Sequence, residues 1–339
     1  MLLIQEKVPL ASYTTLKIGP LADCFAIVKK LADIQEAIEW SRQHKKPLWI
    51  LGSGSNVLIS RKIKGLVLKN ELKGIEVIKK TADYVLVEAL SGELWSKLVN
   101  FTVERGFYGL ENMFLIPGTV GAAPIQNIGA YGVELKDVFY HLRAIDLQTG
   151  HEKIFSAKDC RFGYRDSIFK KRFKNKYFIY SVTVKLTRQP DFKLNYGSIQ
   201  EKLLAKKISQ PTVRNIIEII QEIRNSKLPN PVLTPNAGSF FKNPEISKLK
   251  FNQLQKKYPQ MPSFSVSRIK VKIPAGWLIE QAGFKGKKFG PVSVYKKQAL
   301  ILVNNGKAEA KQVLAVVKKI KSTVKRKFGV DLEEEVNII

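Results

Sequence analysis

Ile116–Gly132, IPGTVGAAPIQNIGAYG, and the shorter Leu51–Leu58, LGSGSNVL, are the two stretches on which the reading of the fold turns. The shorter follows an apolar run, Pro47–Leu51, and leads at once into Val57–Ile59, so it reads strand, turn, strand. Gly52 and Gly54 can take the positive φ angles that aim successive backbone N–H groups into one concavity, and such a nest binds a pyrophosphate without a full positive charge. The dinucleotide fingerprint GxGxxG is the nearest alternative, but it needs a third glycine and a helix whose N-terminus faces the phosphates. Val57 stands at the third position and aliphatic residues follow, so this is not a Rossmann turn. Taken alone, GSGSN also suits a turn that merely connects strands. The longer stretch places Gly118, Gly121, Gly129 and Gly132 in 17 residues, with Glu134 the one charged neighbour. A surface loop would be polar; a small-residue, glycine-dense loop is better suited to packing against a flat ligand.

Around these loops lies a chain of 339 residues, 45% hydrophobic, long enough for two or three domains. No apolar run reaches the 18 or so residues of a membrane helix, and Met1–Lys7 lacks the features of a signal peptide. Cys24 and Cys160 are far apart, which argues against a disulfide framework or a cysteine metal site and fits the cytoplasm. Fifty-seven Lys and Arg against 29 Asp and Glu give a formal charge of +28. That charge suits nucleic acid, a membrane surface or an anionic small molecule. The basic runs at 170–176 and 318–327 sit in no nucleic-acid-binding motif, so solvated faces and a polyanionic small molecule are the expectation.

In chain order, a strand is expected at Ala22–Val28, a helix from Leu31 with Ile34, Ala37 and Ile38 on one face, and strands around Leu48 and Leu66. Ile75–Ile78 and Tyr84–Ala89 alternate like a hairpin. A helix over Gly92–Arg105 would gather Leu94, Leu98 and Phe101 and end at Gly106. Strands at Val138–Leu147 and Tyr177–Leu186 bracket FGYRDS. After Pro211 a helix would place Val213, Ile216, Ile217 and Ile220 together, and LPNPVLTPNAG then fixes a long loop before Ser239. Trp277–Gln281 reads as a short helix, Ala299–Val303 as a buried strand, Ala308–Phe328 as an amphipathic helix, and Val330–Ile339 as a terminal strand.

TTLKIG, LGSGSN, IPGTVGAAPIQNIGAYG, FGYRDS, NAGSFFKNP, AGWLIEQAG and LEEEV occur in that order. From about Tyr13 onward the chain resembles the UDP-N-acetylenolpyruvoylglucosamine reductase family, flavoenzymes that complete UDP-N-acetylmuramate for peptidoglycan. The resemblance implies an α+β protein. Its vanillyl-alcohol-oxidase/PCMH-type FAD-binding domain would have two α/β subdomains, residues 1–70 and 71–208. A C-terminal α+β substrate-binding domain, 209–339, would send its last strand back to the active site. It implies non-covalent FAD, NADPH as hydride donor and UDP-N-acetylglucosamine enolpyruvate as substrate, in a cytoplasmic monomer with neither nucleic acid nor a membrane span. Gly52, Ser53, Gly54, Ser55, Asn56, Pro117, Gly118, Gly121, Ala122, Gly129 and Ala130 would line the cofactor; neither loop contains a cysteine or histidine to bond it covalently. An FAD-dependent alcohol oxidase or dehydrogenase of the same fold, and a basic nucleic-acid-binding protein, are the competing readings.

Adding hydride to the terminal carbon of an enol ether leaves negative charge on the neighbouring carbon and its carboxylate, so the site needs a cation and an acid. The resemblance makes Arg165 the cation, and its planar fork suits a carboxylate; a salt bridge with Asp166 is the plain alternative. It makes Ser239 the proton donor, where otherwise a serine after glycine is a turn residue. No G-x-S-x-G surrounds Ser239, and His44, His141 and His151 lie outside every matched motif, which disfavours a hydrolase triad. Glu335 matches the family's glutamate, but Glu334 and Asn337 stand where the family has proline and arginine. Alternation of Val330, Leu332, Val336 and Ile338 would turn Glu333 and Glu335 to one face, with Glu333 held in reserve. Tyr164, Tyr196, Lys227, Asn243, Phe264 and Gln298 match substrate-binding positions. Phe264 replaces a tyrosine whose hydroxyl would give a charged oxygen a hydrogen bond of about 1.5–3 kcal/mol, unless it simply packs in the core.

Overall fold

The structure, a computed structural model, describes residues 1–339 with the exception of Gly197. Its contacts divide the chain into two units: residues 1–8, 21–53 and 63–225, and residues 9–20, 54–62 and 226–339. The expected cuts at 70/71 and 208/209 differ from this division. The helix Val213–Lys227 buries Ile216, Ile219, Ile220 and Ile223 in the core of the first unit, so the chain changes unit only after Asn225. The expected face of Val213 and Ile217 is rotated toward Ile219 and Ile223.

In the first unit, Leu21–Val28 and Leu48–Leu51 both pair parallel to Ile63–Asn70, and the helix Leu31–His44 makes the crossover between them. Parallel neighbours need such a crossover. Asp33 starts this helix by accepting the backbone N–H groups of Lys29 and Lys30 at 2.8 and 3.1 Å, and Ile34, Ala37 and Ile38 are buried as the spacing requires. A second sheet is antiparallel throughout, in the order Glu152–Ser156, Phe139–Asp146, Tyr177–Thr187, Tyr84–Leu90, Ile75–Lys80. Its central strand is buried from Phe178 to Val184 without alternation, because both faces are covered. The helix beside it runs only from Trp95 to Glu104 and buries Trp95, Leu98, Val99 and Thr102. Leu94 is 40% exposed, outside the expected face, since it precedes the helix and bridges to Thr119.

In the second unit, Asn236–Ser239, Ile301–Asn304, Val292–Val294 and Lys288–Phe289 form an antiparallel sheet. The helix Ala310–Phe328 contributes Val313, Val317, Ile320, Val324 and Phe328 to the core and stops at Gly329, whose φ of 64° is left-handed. The expected terminal strand is broken in two. The N–H of Lys242 bonds Glu333 O and that of Glu335 bonds Phe240 O, both at 2.9 Å; then Asn337–Ile338 turns to pair parallel to Val57–Leu58. Val330, Leu332 and Val336 are buried as expected, but Ile338 is 38% exposed because the segment has changed neighbours. Among the described residues no helix is long and apolar enough to cross a membrane, and no cluster of His, Cys, Asp or Glu could hold a metal.

Candidate active site

The first unit carries Gly52, Ser53, the Pro117–Ala130 residues, Tyr164, Arg165 and Tyr196. Gly52 meets the second loop closely: a Cβ there would lie 2.8 Å from Thr119 Oγ1. Gly121 is equally committed, since its Cβ would fall 2.4 Å from that of Ser91. The glycines at 52 and 121 thus serve close approach of one chain segment to another. In the second loop several backbone groups are used internally: the N–H groups of Val120 and Gly121 bond Glu93 O and Ser91 O at 2.8 and 2.9 Å, while Gly118 O accepts from Trp95. Beneath the first turn, Lys69 Nζ donates to Gly52 O at 2.8 Å, and burial pushes its pKa below that of ordinary lysine. Sequence reasoning missed this cation.

Downstream, Gly129–Ala130 pairs with Val133–Glu134 around Tyr131 (φ 51°) and Gly132 (φ 84°), the two positive angles of a type I′ hairpin. Arg165 lies at the third position of the turn Gly163–Asp166, again with positive φ, 52°. A non-glycine residue there is strained, and strain of this kind is held in place by its surroundings. Arg165 Nη2 donates to Gly129 O at 2.6 Å, Nη1 is 4.0 Å from Glu134, and the guanidinium lies 5.4 Å from the Tyr164 ring centre. Asp166, the partner suggested by adjacency, pairs with Lys171. Tyr196 meets Tyr131 edge-on at 5.4 Å, and Arg224 hydrogen-bonds the Tyr131 hydroxyl. Burial raises the pKa of this tyrosine and lowers that of Arg224. Neither residue stood out in the sequence, because their association joins chain positions far apart.

The second unit carries Gly54, Ser55, Asn56, Lys227, Ser239, Asn243, Phe264, Gln298 and Glu335. Gly54 (φ 67°) has a site for Cβ only 2.0 Å from Tyr13 O. Thr15 ties this turn to the serine strand: its N–H and Oγ1 reach Gly54 O at 3.1 and 3.3 Å, and Oγ1 reaches Asn236 O at 2.7 Å. This explains TTLKIG, which the sequence marked without a role. Asn236 pairs with Val303 but Ser239 with Ile301, so one extra residue is bulged out. Gly238 at φ 72° makes it a glycine bulge, which re-aims the next side chain, Ser239.

Glu335 pairs through its N–H with Phe240, the residue after Ser239, and Asn56 Nδ2 lies 3.4 Å from Glu335 O. Glu334 turns the other way, bonding Lys321 at 2.8 and 2.9 Å, as alternation predicts. Glu333 is 73% exposed and paired with Lys242 at 2.5 Å. Asn243 Oδ1 accepts the N–H of Ala275 at 2.9 Å, and Gln298 Oε1 accepts that of Leu300 at 3.3 Å while lying 2.8 Å from where a Cβ on Gly276 would be. Lys227 is exposed at the end of its helix. Phe264 is 48% exposed on a strand at the edge of a small sheet, which overturns the core-packing alternative for it.

Residues 230–339 match the family model "UDP-N-acetylenolpyruvoylglucosamine reductase, C-terminal domain", and residues 22–156 match "FAD binding domain". The chain is 46% identical to the UDP-N-acetylenolpyruvoylglucosamine reductase of Flavobacterium johnsoniae, covering 99% of both sequences. It is 44% identical to that of Pseudomonas aeruginosa, covering 99% of this chain and 98% of the relative. Among solved structures it is similar to UDP-N-acetylenolpyruvylglucosamine reductase from Thermus caldophilus. That likeness has a TM-score of 0.68 at 22% identity, over 100% of this chain and 99% of the other, and it speaks to the fold.

Proposed function

The chain belongs to the UDP-N-acetylenolpyruvoylglucosamine reductase family, and on that premise we propose that it reduces UDP-N-acetylglucosamine enolpyruvate to UDP-N-acetylmuramate at the expense of NADPH. FAD, when bound, supplies a hydride acceptor for NADPH and a hydride donor for the enol ether. Gly52–Asn56 with Pro117, Gly118, Gly121, Ala122, Gly129 and Ala130 would hold it, which assigns the first unit chiefly to the flavin and the second to the UDP-sugar. Arg165 binds the substrate carboxylate and holds the charge that develops there. Ser239 donates the proton to the neighbouring carbon. Glu335 supports that proton transfer, protonated or through an ordered water, because an ionised carboxylate beside developing negative charge in a dry site would raise the barrier. Tyr164, Tyr196, Lys227, Asn243, Phe264 and Gln298 orient the nucleotide sugar. We place the reaction in the cytoplasm and the enzyme as a monomer, which size-exclusion chromatography with light scattering tests.

The observation that carries this reading is the main-chain ladder that sets Glu335 against Phe240, one residue from Ser239, which follows the glycine bulge at Gly238. The test separates the two half-reactions anaerobically. NADPH should bleach the bound flavin of Ser239→Ala at a near-normal rate, while reoxidation by the enolpyruvyl substrate should slow at least about a hundredfold, the scale of a lost general acid. Equal damage to both steps would remove Ser239 from the role of acid. Bleaching by a simple alcohol, with no reoxidation by the enolpyruvyl sugar, would favour the oxidase reading instead.

A further inference from the structure

Asn127 lies inside the longer glycine-rich stretch, fully buried, with φ at 45°. Asparagine tolerates this left-handed conformation better than most residues. Its amide satisfies three distant groups at once: Nδ2 donates to Gly163 O at 3.1 Å and to Glu134 Oε2 at 3.1 Å, and Oδ1 accepts the N–H of Lys136 at 2.9 Å. Gly163 opens the turn that carries Arg165, and Gly163 O also accepts the N–H of Asp166 at 3.3 Å. Glu134 pairs with Gly129 across the hairpin, and these are the two residues that flank the guanidinium, at 4.0 Å from Nη1 and 2.6 Å from Nη2. One buried amide therefore couples the turn to the hairpin that receives the arginine.

Charge is balanced as well as geometry. Lys136 Nζ bonds Glu134 Oε2 at 2.8 Å, and this hydrogen bond raises the lysine's pKa. Glu134 thus shares its charge between Lys136 and the Arg165 guanidinium. Glu134 and Asn127 together fix where the guanidinium sits.

We infer that Asn127 is a positioning residue for Arg165, acting through Gly163 and Glu134. This rests on the reading of Arg165 as the group that meets the substrate carboxylate. Asn127→Asp is the sharpest probe, because it keeps the size and the acceptor for Lys136 but sets a carboxylate oxygen against Glu134 and Gly163 O. Flavin reduction by NADPH should stay within about twofold of wild type, while reoxidation by substrate falls at least about tenfold. Added to Arg165→Met, Asn127→Asp should cost less than about twofold more, since residues acting as a unit are non-additive. Asn127→Asp/Glu134→Gln, which swaps donor and acceptor at the Glu134 contact but leaves a carboxylate oxygen against Gly163 O, should recover part of the loss, at least about twofold. A readout that needs no turnover is the flavin absorbance change on adding UDP-N-acetylmuramate, whose carboxylate Arg165 would bind; Asn127→Asp should weaken it as Arg165→Met does. Full additivity in the Arg165→Met background, or no recovery in the swap, overturns the inference. If Asn127→Asp does not fold, Glu134→Gln is run through the same cycle, and additivity there overturns it equally. A wild-type enzyme that substrate fails to reoxidise, or an Arg165→Met that remains fast, would instead sink the reading of the reaction, and the absorbance titration would still decide whether Asn127 and Arg165 act together.

Discussion

The two units build their shares of the site in opposite ways. In the first, the loop, the hairpin and the Arg165 turn come from one continuous stretch, residues 117–166, and are fastened by side chains such as Asn127 and by residues held at positive φ. In the second, four separate segments around Thr15, Gly54–Asn56, Asn236–Asn243 and Glu333–Asn337 are laced mainly by backbone hydrogen bonds. Local assembly stores strain in individual residues, whereas long-range assembly depends on strands approaching closely enough to bond. The second kind should be broken most easily by bulk at the crossing points.

The largest expected effect tests that difference with the same substitution in each unit. Gly54→Ala must accept a left-handed φ and a Cβ overlapping Tyr13 O, together about 3 kcal/mol or more. Gly132→Ala meets nothing within 4 Å and should cost only the backbone term, about 1–2 kcal/mol. Urea denaturation of the two variants measures both; equal losses would mean that the close approach at Gly54 can relax.

Next in size is the choice among the terminal glutamates. Glu335→Gln should slow flavin reoxidation by substrate by about two orders of magnitude. Glu333→Gln, which loses a pair between its own exposed carboxylate and the largely buried Lys242, should change it little. Stopped-flow reoxidation of the reduced variants decides; a crippled Glu333→Gln would shift the register of LEEEV by two. A smaller gain is expected from Phe264→Tyr, whose restored hydroxyl should lower KM about tenfold if it reaches a phosphate. An unchanged KM would place this exposed ring away from the diphosphate.

How much of this was legible follows the same division. The strands at Leu21–Val28, Ile63–Asn70 and Tyr177–Thr187, the helix Ala310–Phe328 and both glycine loops announce themselves, because apolar period and glycine spacing are local properties. The motif order marked Arg165, Ser239 and Glu335, and alternation turned Glu334 away from Glu335. Asn127, Glu134, Arg224 and Lys69 gave no sign of their partners, since each acquires its role through a contact that only the folded chain creates. Ile338 and Leu94 were misplaced for a related reason: a periodic pattern does not reveal where a segment changes neighbours or where a helix begins.

The smallest expected effect also separates the units, through where they keep carboxylates. Glu333 and Glu334 are paired with lysines on or near the surface, but Glu111 in the first unit is only 3% exposed. It accepts the N–H of Gly109 at 2.7 Å, yet burial outweighs that bond and raises its pKa above the ordinary glutamate value. A carboxyl with a raised folded-state pKa holds more protons in the native state than in the unfolded one. Its contribution is therefore present in full below the unfolded pKa and is lost as pH rises through the folded value. Glu111→Gln keeps an acceptor for Gly109 and removes the titration, so the pH dependence of urea stability over the acidic range should lose a falling component relative to wild type. If Glu111→Gln kept the wild-type profile, burial of this carboxyl in the first unit would not be what makes it costly to ionise.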